Sequence, residues 1–224
     1  MKTAIVTGAN SEIGFDICKM LIKEEYKVIA CIHLNDDRIK EINSENLFIK
    51  KIDLTNEEEI INLLKNIEVN LIVNCAAYYF DDFYKEISKE NFMKTLEVNV
   101  VAPFLLAKYA NLKGIIINIS STDGIDTYND INIPYSVSKA ALNNLTKSLA
   151  YTLKSNKVYA LALGWVNTEL IRSINQDYLL KEMERTGQKR LVEIDEIEEF
   201  IKKMLVGDYK TGSIIRIDGD INVY

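Results

Sequence analysis

Tyr135 and Lys139 stand four residues apart in Pro134-Tyr135-Ser136-Val137-Ser138-Lys139, downstream of a Ser120-Ser121 pair that closes an apolar run. On a helix this spacing puts both side chains on one face, so the ammonium would sit beside the phenol and favour its ionised form. A phenol unaided titrates at about 10, and a neighbouring cation would suit it to proton exchange near neutrality. The pair therefore reads as a proton-delivering site. With twelve tyrosines in the chain, a Tyr-x-x-x-Lys pair alone discriminates little. Its weight comes from the elements that must hold it.

The first of these lies at the N-terminus. Thr3-Ala4-Ile5-Val6-Thr7 reads as a short buried strand running into Gly8-Ala9-Asn10-Ser11-Glu12-Ile13-Gly14. Gly8 permits a tight turn, Gly14 permits close helix packing, and the free N–H groups of the helix start face the phosphates of a nucleotide. Nucleotide binding is the leading reading, against an ordinary strand-to-helix connection. A phosphate-loop kinase would need Gly-Lys-Ser/Thr where Glu12-Ile13-Gly14 stands.

Apolar, β-branched runs recur at Ala4–Thr7, Val28–Ile32, Leu47–Ile52, Leu71–Asn74, Ile115–Ile119, Val158–Leu163 and Ser213–Ile217. Most are continuous rather than alternating, as expected of strands covered on both faces. Helical patterns lie between them at 13–25, 36–43, 56–66, 88–111, 134–154 and 195–206, with an irregular helical stretch near 168–186. The expected fold is α/β: a Rossmann-type, doubly wound parallel sheet of about seven strands in one domain over 1–224. Its ligand crevice lies at the carboxyl ends of the strands, where Gly8, Asn74, Ser121 and Gly164 fall.

Composition narrows the function. The 224 residues are 48% hydrophobic and carry a net charge of −6, enough for a full core and unsuited to a nucleic-acid surface. No apolar run approaches the roughly 20 residues that span a bilayer, and no signal peptide is expected before Gly8. Cys18, Cys31 and Cys75 are scattered without Cys-x-x-Cys spacing, which fits a reducing cytoplasm. His33 is the only histidine, so no multi-histidine metal site is expected.

These motifs, in this order, resemble the short-chain dehydrogenase/reductase superfamily over nearly the whole chain. Thr7 to Gly14 matches the family's cofactor turn, Asp53-Leu54 its adenine-contacting pair, and Asn74-Cys75-Ala76-Ala77 the segment after its fourth strand. Asn99 matches its catalytic asparagine, Asn118-Ile119-Ser120-Ser121 its catalytic-serine strand, and Gly164-Trp165-Val166-Asn167-Thr168 its later cofactor loop. The resemblance implies catalysis by Asn99, Ser121, Tyr135 and Lys139. It implies a dinucleotide held by Gly8, Asn10, Ser11, Ile13, Gly14, His33, Asp53, Leu54, Asn74, Ala76, Tyr135, Lys139, Gly164, Val166 and Thr168. Asn99 would hold a water linking Lys139 to solvent. Relatives form dimers and tetramers through the helices at 88–111 and 134–154, which implies a homo-oligomer, with a tetramer expected here.

Several residues depart from the family pattern. Glu12 replaces the middle glycine of the turn and is expected to point to solvent or cap the helix start. Cys75 and Ala77 replace Asn and Gly, Leu163 replaces Pro, and Asp220 replaces a terminal glycine. At the end of the second strand Ile32 stands where an NAD enzyme carries an acid, and His33 with Ser11 and Arg38 could instead meet a 2′-phosphate. NADP(H) is therefore expected, with NAD(H) as the alternative. The expected substrate is a small carbonyl compound, first a 3-oxoacyl thioester carried on acyl-carrier protein or coenzyme A, and second a pteridine or small ketone. Tyr78–Tyr84 and Trp165–Met183 would flank its pocket. The alternative of another class is a nucleotide-binding regulator without turnover, for which eroded catalytic residues are expected.

Overall fold

A computed structural model describes residues 1–126 and 131–219. Among the described residues seven strands form one sheet: β1 Lys2–Thr7, β2 Tyr26–Ile32, β3 Leu47–Lys51, β4 Glu68–Asn74, β5 Asn111–Ser121, β6 Lys157–Leu163 and β7 Ile214–Ile217. All pair in parallel, in the order β3-β2-β1-β4-β5-β6-β7. The order reverses between β1 and β4, and a ligand crevice opens at such a switch point.

Alternate strand residues face opposite layers. Ala4, Val6, Val28, Ala30, Leu71 and Val73 pack with Ile17 and Leu21 of α1 (Glu12–Lys23) and with a helix further along the chain, α8 (Ile194–Val206), which contributes Ile197, Ile201 and Met204. On the other face Ile5, Ile29, Ile72 and Ile116 meet Ile60 and Leu64 of α2 (Glu57–Leu64) and, further on, Leu105 and Leu106 of α4 (Ala102–Tyr109) and Leu149 of α5 (Ile133–Thr152). The central strands are covered on both faces, which is why β1, β2, β4 and β6 run largely apolar, whereas the edge strand β3 exposes Phe48, Lys50 and Lys51.

Two helical expectations change. The 36–43 pattern yields a single 3₁₀ turn at Ile39–Glu41, and the Asn10 side chain, accepting the Ile39 N–H, ties this segment to the glycine turn. The 88–111 pattern is not uniform: α3 (Lys89–Leu96) passes through a π-helical turn at Glu97–Val101 before α4 begins. Pro103, four residues past Asn99, has no N–H to offer the Asn99 carbonyl, so the α-helical ladder cannot run through. The irregular stretch resolves into α6 (Glu169–Ser173) and α7 (Gln176–Thr186). Asp220 and residues 127–130, in the sequence between Ser121 and Tyr135, lie outside the described residues. Among the described residues no helix is long and apolar enough to cross a membrane.

Candidate active site

Strand register assembles the site. Thr7 pairs with Asn74, Asn74 with Asn118, and Ser121 with Leu163, so the ends of β1, β4, β5 and β6 form one edge. Gly8, Ala76, Ser121 and Gly164 follow directly from that register.

The glycine turn is shaped by close backbone approach. Gly8 has φ +64°, and a Cβ there would lie 2.7 Å from the Ala76 Cα. At Gly14 a Cβ would meet the Gly8 carbonyl at 2.3 Å. Thr7, which opens the matched turn but was not among the expected cofactor contacts, fastens the turn to β4: its Oγ1 accepts from the Cys75 and Ala76 N–H groups, both at 3.1 Å. Its position directly before Gly8 was the available signal. This leaves α1 starting at the crevice with backbone N–H groups toward it, a donor set that suits a diphosphate. Ile13 packs half-buried against the core.

Ser11 is committed within the turn: its hydroxyl donates to the Gly8 carbonyl at 2.8 Å and caps the Gly14 N–H at 3.0 Å. Glu12 does not point to solvent. Its carboxylate accepts the Glu169 N–H at 2.6 Å and lies 3.4 Å from Arg172, and so caps α6 rather than its own helix. Asn10 bonds Asn35 as well as Ile39. Arg38 pairs with Glu169 and stands 3.8 Å from Glu12. His33 is exposed at the end of β2 and is close enough to Asp53 to help hold its carboxyl below the ordinary range, after the larger effect of two Thr55 hydrogen bonds. One Asp53 oxygen is thereby occupied, at 2.9 and 2.8 Å. Leu54 packs beside it against the core. Across the crevice Val166 is buried, and Thr168 caps α6 through Ile171 N–H at 3.4 Å. Gly164 fits tightly against Gln188, whose amide holds both backbone groups of Trp165 at 2.8 Å.

Ser121, Tyr135 and Lys139 converge as expected. Ser121 ends β5 and hydrogen-bonds the Tyr135 phenol. Lys139 is buried, donates to the Ile119 carbonyl at 2.8 Å, and lies 5.2 Å from the centroid of the Tyr135 ring. The expected lowering of the phenol pKa is not what the structure gives. Burial pushes the Tyr135 phenol well above its ordinary value, Asp123 adds to this, and the Ser121 bond pulls back only part of it. The same burial drives the Lys139 ammonium down to about 8. Helical spacing predicted the proximity of the pair but not the desolvation that opposes both charges.

Asn99 sits in the π-helical turn, and its side chain is engaged elsewhere than Lys139. Its Oδ1 accepts the Tyr78 N–H at 2.7 Å, and its Nδ2 donates to the Tyr78 carbonyl at 3.0 Å and to Ser138 Oγ at 2.9 Å. Ser138, also unforeseen, is buried and donates to the Tyr135 carbonyl at 2.7 Å. The loop fixed by Asn99 brings the Tyr79 ring edge-on to Tyr135, centroids 6.2 Å apart. Asn74 lies beneath the crevice and donates to Asn118 at 2.7 Å, and Asn118 donates to Thr146 at 2.8 Å, so a buried polar chain links β4, β5 and α5.

The family profile described as short chain dehydrogenase matches residues 2–179, and the chain belongs to that family of oxidoreductases. An uncharacterized oxidoreductase of Thermotoga maritima is 35% identical over 249 residues, covering 97% of this chain and 96% of the relative. The 3-oxoacyl-(acyl-carrier-protein) reductase of Rickettsia prowazekii is 33% identical over 187 residues, covering 78% and 77%. Among solved structures, 4-hydroxyisoleucine dehydrogenase complexed with NADH superposes with a TM-score of 0.86 at 28% identity, covering 98% of both chains.

Proposed function

We propose that this oxidoreductase interconverts a carbonyl group and an alcohol with a nicotinamide dinucleotide, using Ser121, Tyr135 and Lys139 for the proton. The observation that carries this reading is the Ser121 bond to Tyr135 with Lys139 buried behind it, on the strand edge that also holds the Gly8–Gly14 turn. The turn fits the dinucleotide because glycine at both positions lets the backbone close up and leaves the α1 N–H groups facing the crevice. Asn74, Ala76, Gly164, Val166 and Thr168 border the nicotinamide end, and His33, Asp53 and Leu54 the adenosine end. When bound, the nicotinamide supplies or takes the hydride.

The chain's own residues manage the proton. The Ser121 hydroxyl orients the carbonyl oxygen and stabilises its growing negative charge. Tyr135 donates its proton to that oxygen, and a raised phenol pKa keeps the donor protonated until an alkoxide, a far stronger base than a phenolate, calls for it. Lys139 stabilises the phenolate left behind. The Asn99 carbonyl, deprived by Pro103 of its α-helical donor, would hold the water that passes a proton toward Lys139.

Likeness to the Rickettsia reductase supports a 3-oxoacyl thioester substrate, delivered on acyl-carrier protein or coenzyme A; a pteridine or small ketone is the second candidate. Of the three residues expected to meet a 2′-phosphate, His33 remains exposed at the end of β2, whereas Ser11 and Arg38 are bonded elsewhere. Exposed Val101, Phe104, Val137 and Tyr151 on the α4 and α5 side support assembly with further copies as a dimer or tetramer, and three free thiols suit a cytoplasmic setting. A regulator that binds the dinucleotide without turnover is the reading of another class. Nucleotide oxidation measured over a panel of ketones and acetoacetyl thioesters separates the two: turnover of any member supports the oxidoreductase, and binding with no turnover throughout supports the regulator.

A further inference from the structure

The segment after β2 folds back onto the first turn of the crevice. Asn10 holds it at two points, accepting the Ile39 N–H at 3.0 Å and donating to Asn35. A dinucleotide lying along that turn presents the adenosine ribose to the end of β2, which is this corner. Four charged groups meet here. Glu12 accepts the Glu169 N–H at 2.6 Å, with Arg172 at 3.4 Å and Arg38 at 3.8 Å, and Arg38 also pairs with the Glu169 carboxylate. The two guanidiniums and two carboxylates cancel. Among neighbouring residues on the same segment, Asp36 is paired with Lys40 at 2.8 Å, and Asp37 adds a further negative charge.

We infer that Glu12 and Glu169 make the chain select NAD(H) over NADP(H), with Arg38 as a latent phosphate ligand that these carboxylates hold away. The inference rests on the proposal that the crevice takes a nicotinamide dinucleotide, and it reverses the preference expected from sequence. A 2′-phosphate brings about 1.5 to 2 negative charges. To reach Arg38 it must draw the guanidinium off Glu169 and Glu12, leaving those carboxylates short of a cation beside the incoming anion. Glu12 has little water to fall back on, since its side chain is 22% exposed. A free ribose hydroxyl asks for no such exchange. Selection therefore works by repulsion of the phosphorylated form rather than by a special contact to the other.

The test is a fluorescence titration of NADH and NADPH against three proteins: the natural chain, Glu12→Gln with Glu169→Gln, and that pair with Arg38→Ala added. Glutamine at position 12 keeps an acceptor for the Glu169 N–H, so the anchoring of α6 is retained. The natural chain is expected to bind NADH about tenfold tighter than NADPH or more, and the paired glutamines to move that ratio about tenfold toward NADPH. Arg38→Ala should abolish the shift. Equal or tighter NADPH binding by the natural chain overturns the inference, as does a ratio that the glutamines leave unmoved or that shifts equally without Arg38. Binding of neither nucleotide overturns this inference together with the proposal beneath it, whereas turnover with an NADPH preference overturns this inference alone.

Discussion

Asn99 grips Tyr78 by both of its backbone groups, accepting the N–H at 2.7 Å and donating to the carbonyl at 3.0 Å. One buried amide thus serves the loop after β4 as a neighbouring strand would, and it sets where Tyr79 stands over Tyr135. Asn99→Leu would leave both Tyr78 groups and Ser138 without this partner. Each unsatisfied buried group costs about 1 to 3 kcal/mol, so thermal unfolding should show a loss of about 3 kcal/mol. Amide exchange at Tyr78 should accelerate beyond that of the β4 core; uniform acceleration would mean that the grip is not local.

Gly8 cannot take a side chain in place. At φ +64° an L residue is strained by about 1 to 2 kcal/mol, and the added Cβ would press on the Ala76 backbone at 2.7 Å. Gly8→Ala should lower stability by at least about 2 kcal/mol in urea titration and weaken dinucleotide binding more than tenfold, because Ala76 and the turn must separate. Unchanged affinity would place the nucleotide elsewhere.

The depressed Lys139 value has a defined sign in stability. Folded Lys139 releases its proton near pH 8, whereas the unfolded side chain keeps it to 10.5. Below pH 8 both forms are charged and the burial cost is fully present; between 8 and 10.5 the folded form sheds it, so this contribution to stability rises with pH. At 1.36 kcal/mol per unit the change amounts to about 3 kcal/mol. Cys18, Cys31 and Cys75, all raised by burial, act in the opposite direction above about pH 9, as the unfolded thiols ionise first. The stability difference between the natural chain and Lys139→Met isolates the lysine. It should move in favour of the natural chain by about 2 kcal/mol from pH 7.5 to 10, and a flat difference would show that Lys139 titrates normally.

Much of this was legible in the chain. Strands hidden on both faces must be apolar along their length, and most of the seven announced themselves in that way, while the edge strand β3 ends in exposed Lys50 and Lys51. The spacing of Tyr135 and Lys139 correctly implied a shared helix face. What sequence did not disclose depends on distant partners and on burial. The Glu12 carboxylate reaches a backbone N–H 157 positions away, Ser11 turns inward to Gly8, and the phenol rises because of enclosure that no local pattern encodes. The 36–43 pattern gave only a 3₁₀ turn, tied to the glycine turn through Asn10, and the π-helical turn at Asn99 depended on the missing N–H of Pro103.

Phe104 is 43% exposed on α4, close to exposed Val101. If these residues face another copy, Phe104→Glu buries a charge in that contact and should shift the mass measured by light scattering from an oligomer to a smaller species. A natural chain that is monomeric would remove the proposed assembly.

Replacing one oxygen atom tests the central claim most directly. Tyr135→Phe keeps the ring against Tyr79 and Lys139 but removes the proton, and general acid catalysis is worth about 10² to 10⁴ in rate. With a substrate that the natural chain turns over, kcat should fall by at least about a hundredfold while the dinucleotide dissociation constant stays within about threefold. Retention of kcat in the phenylalanine variant would contradict proton delivery by this phenol.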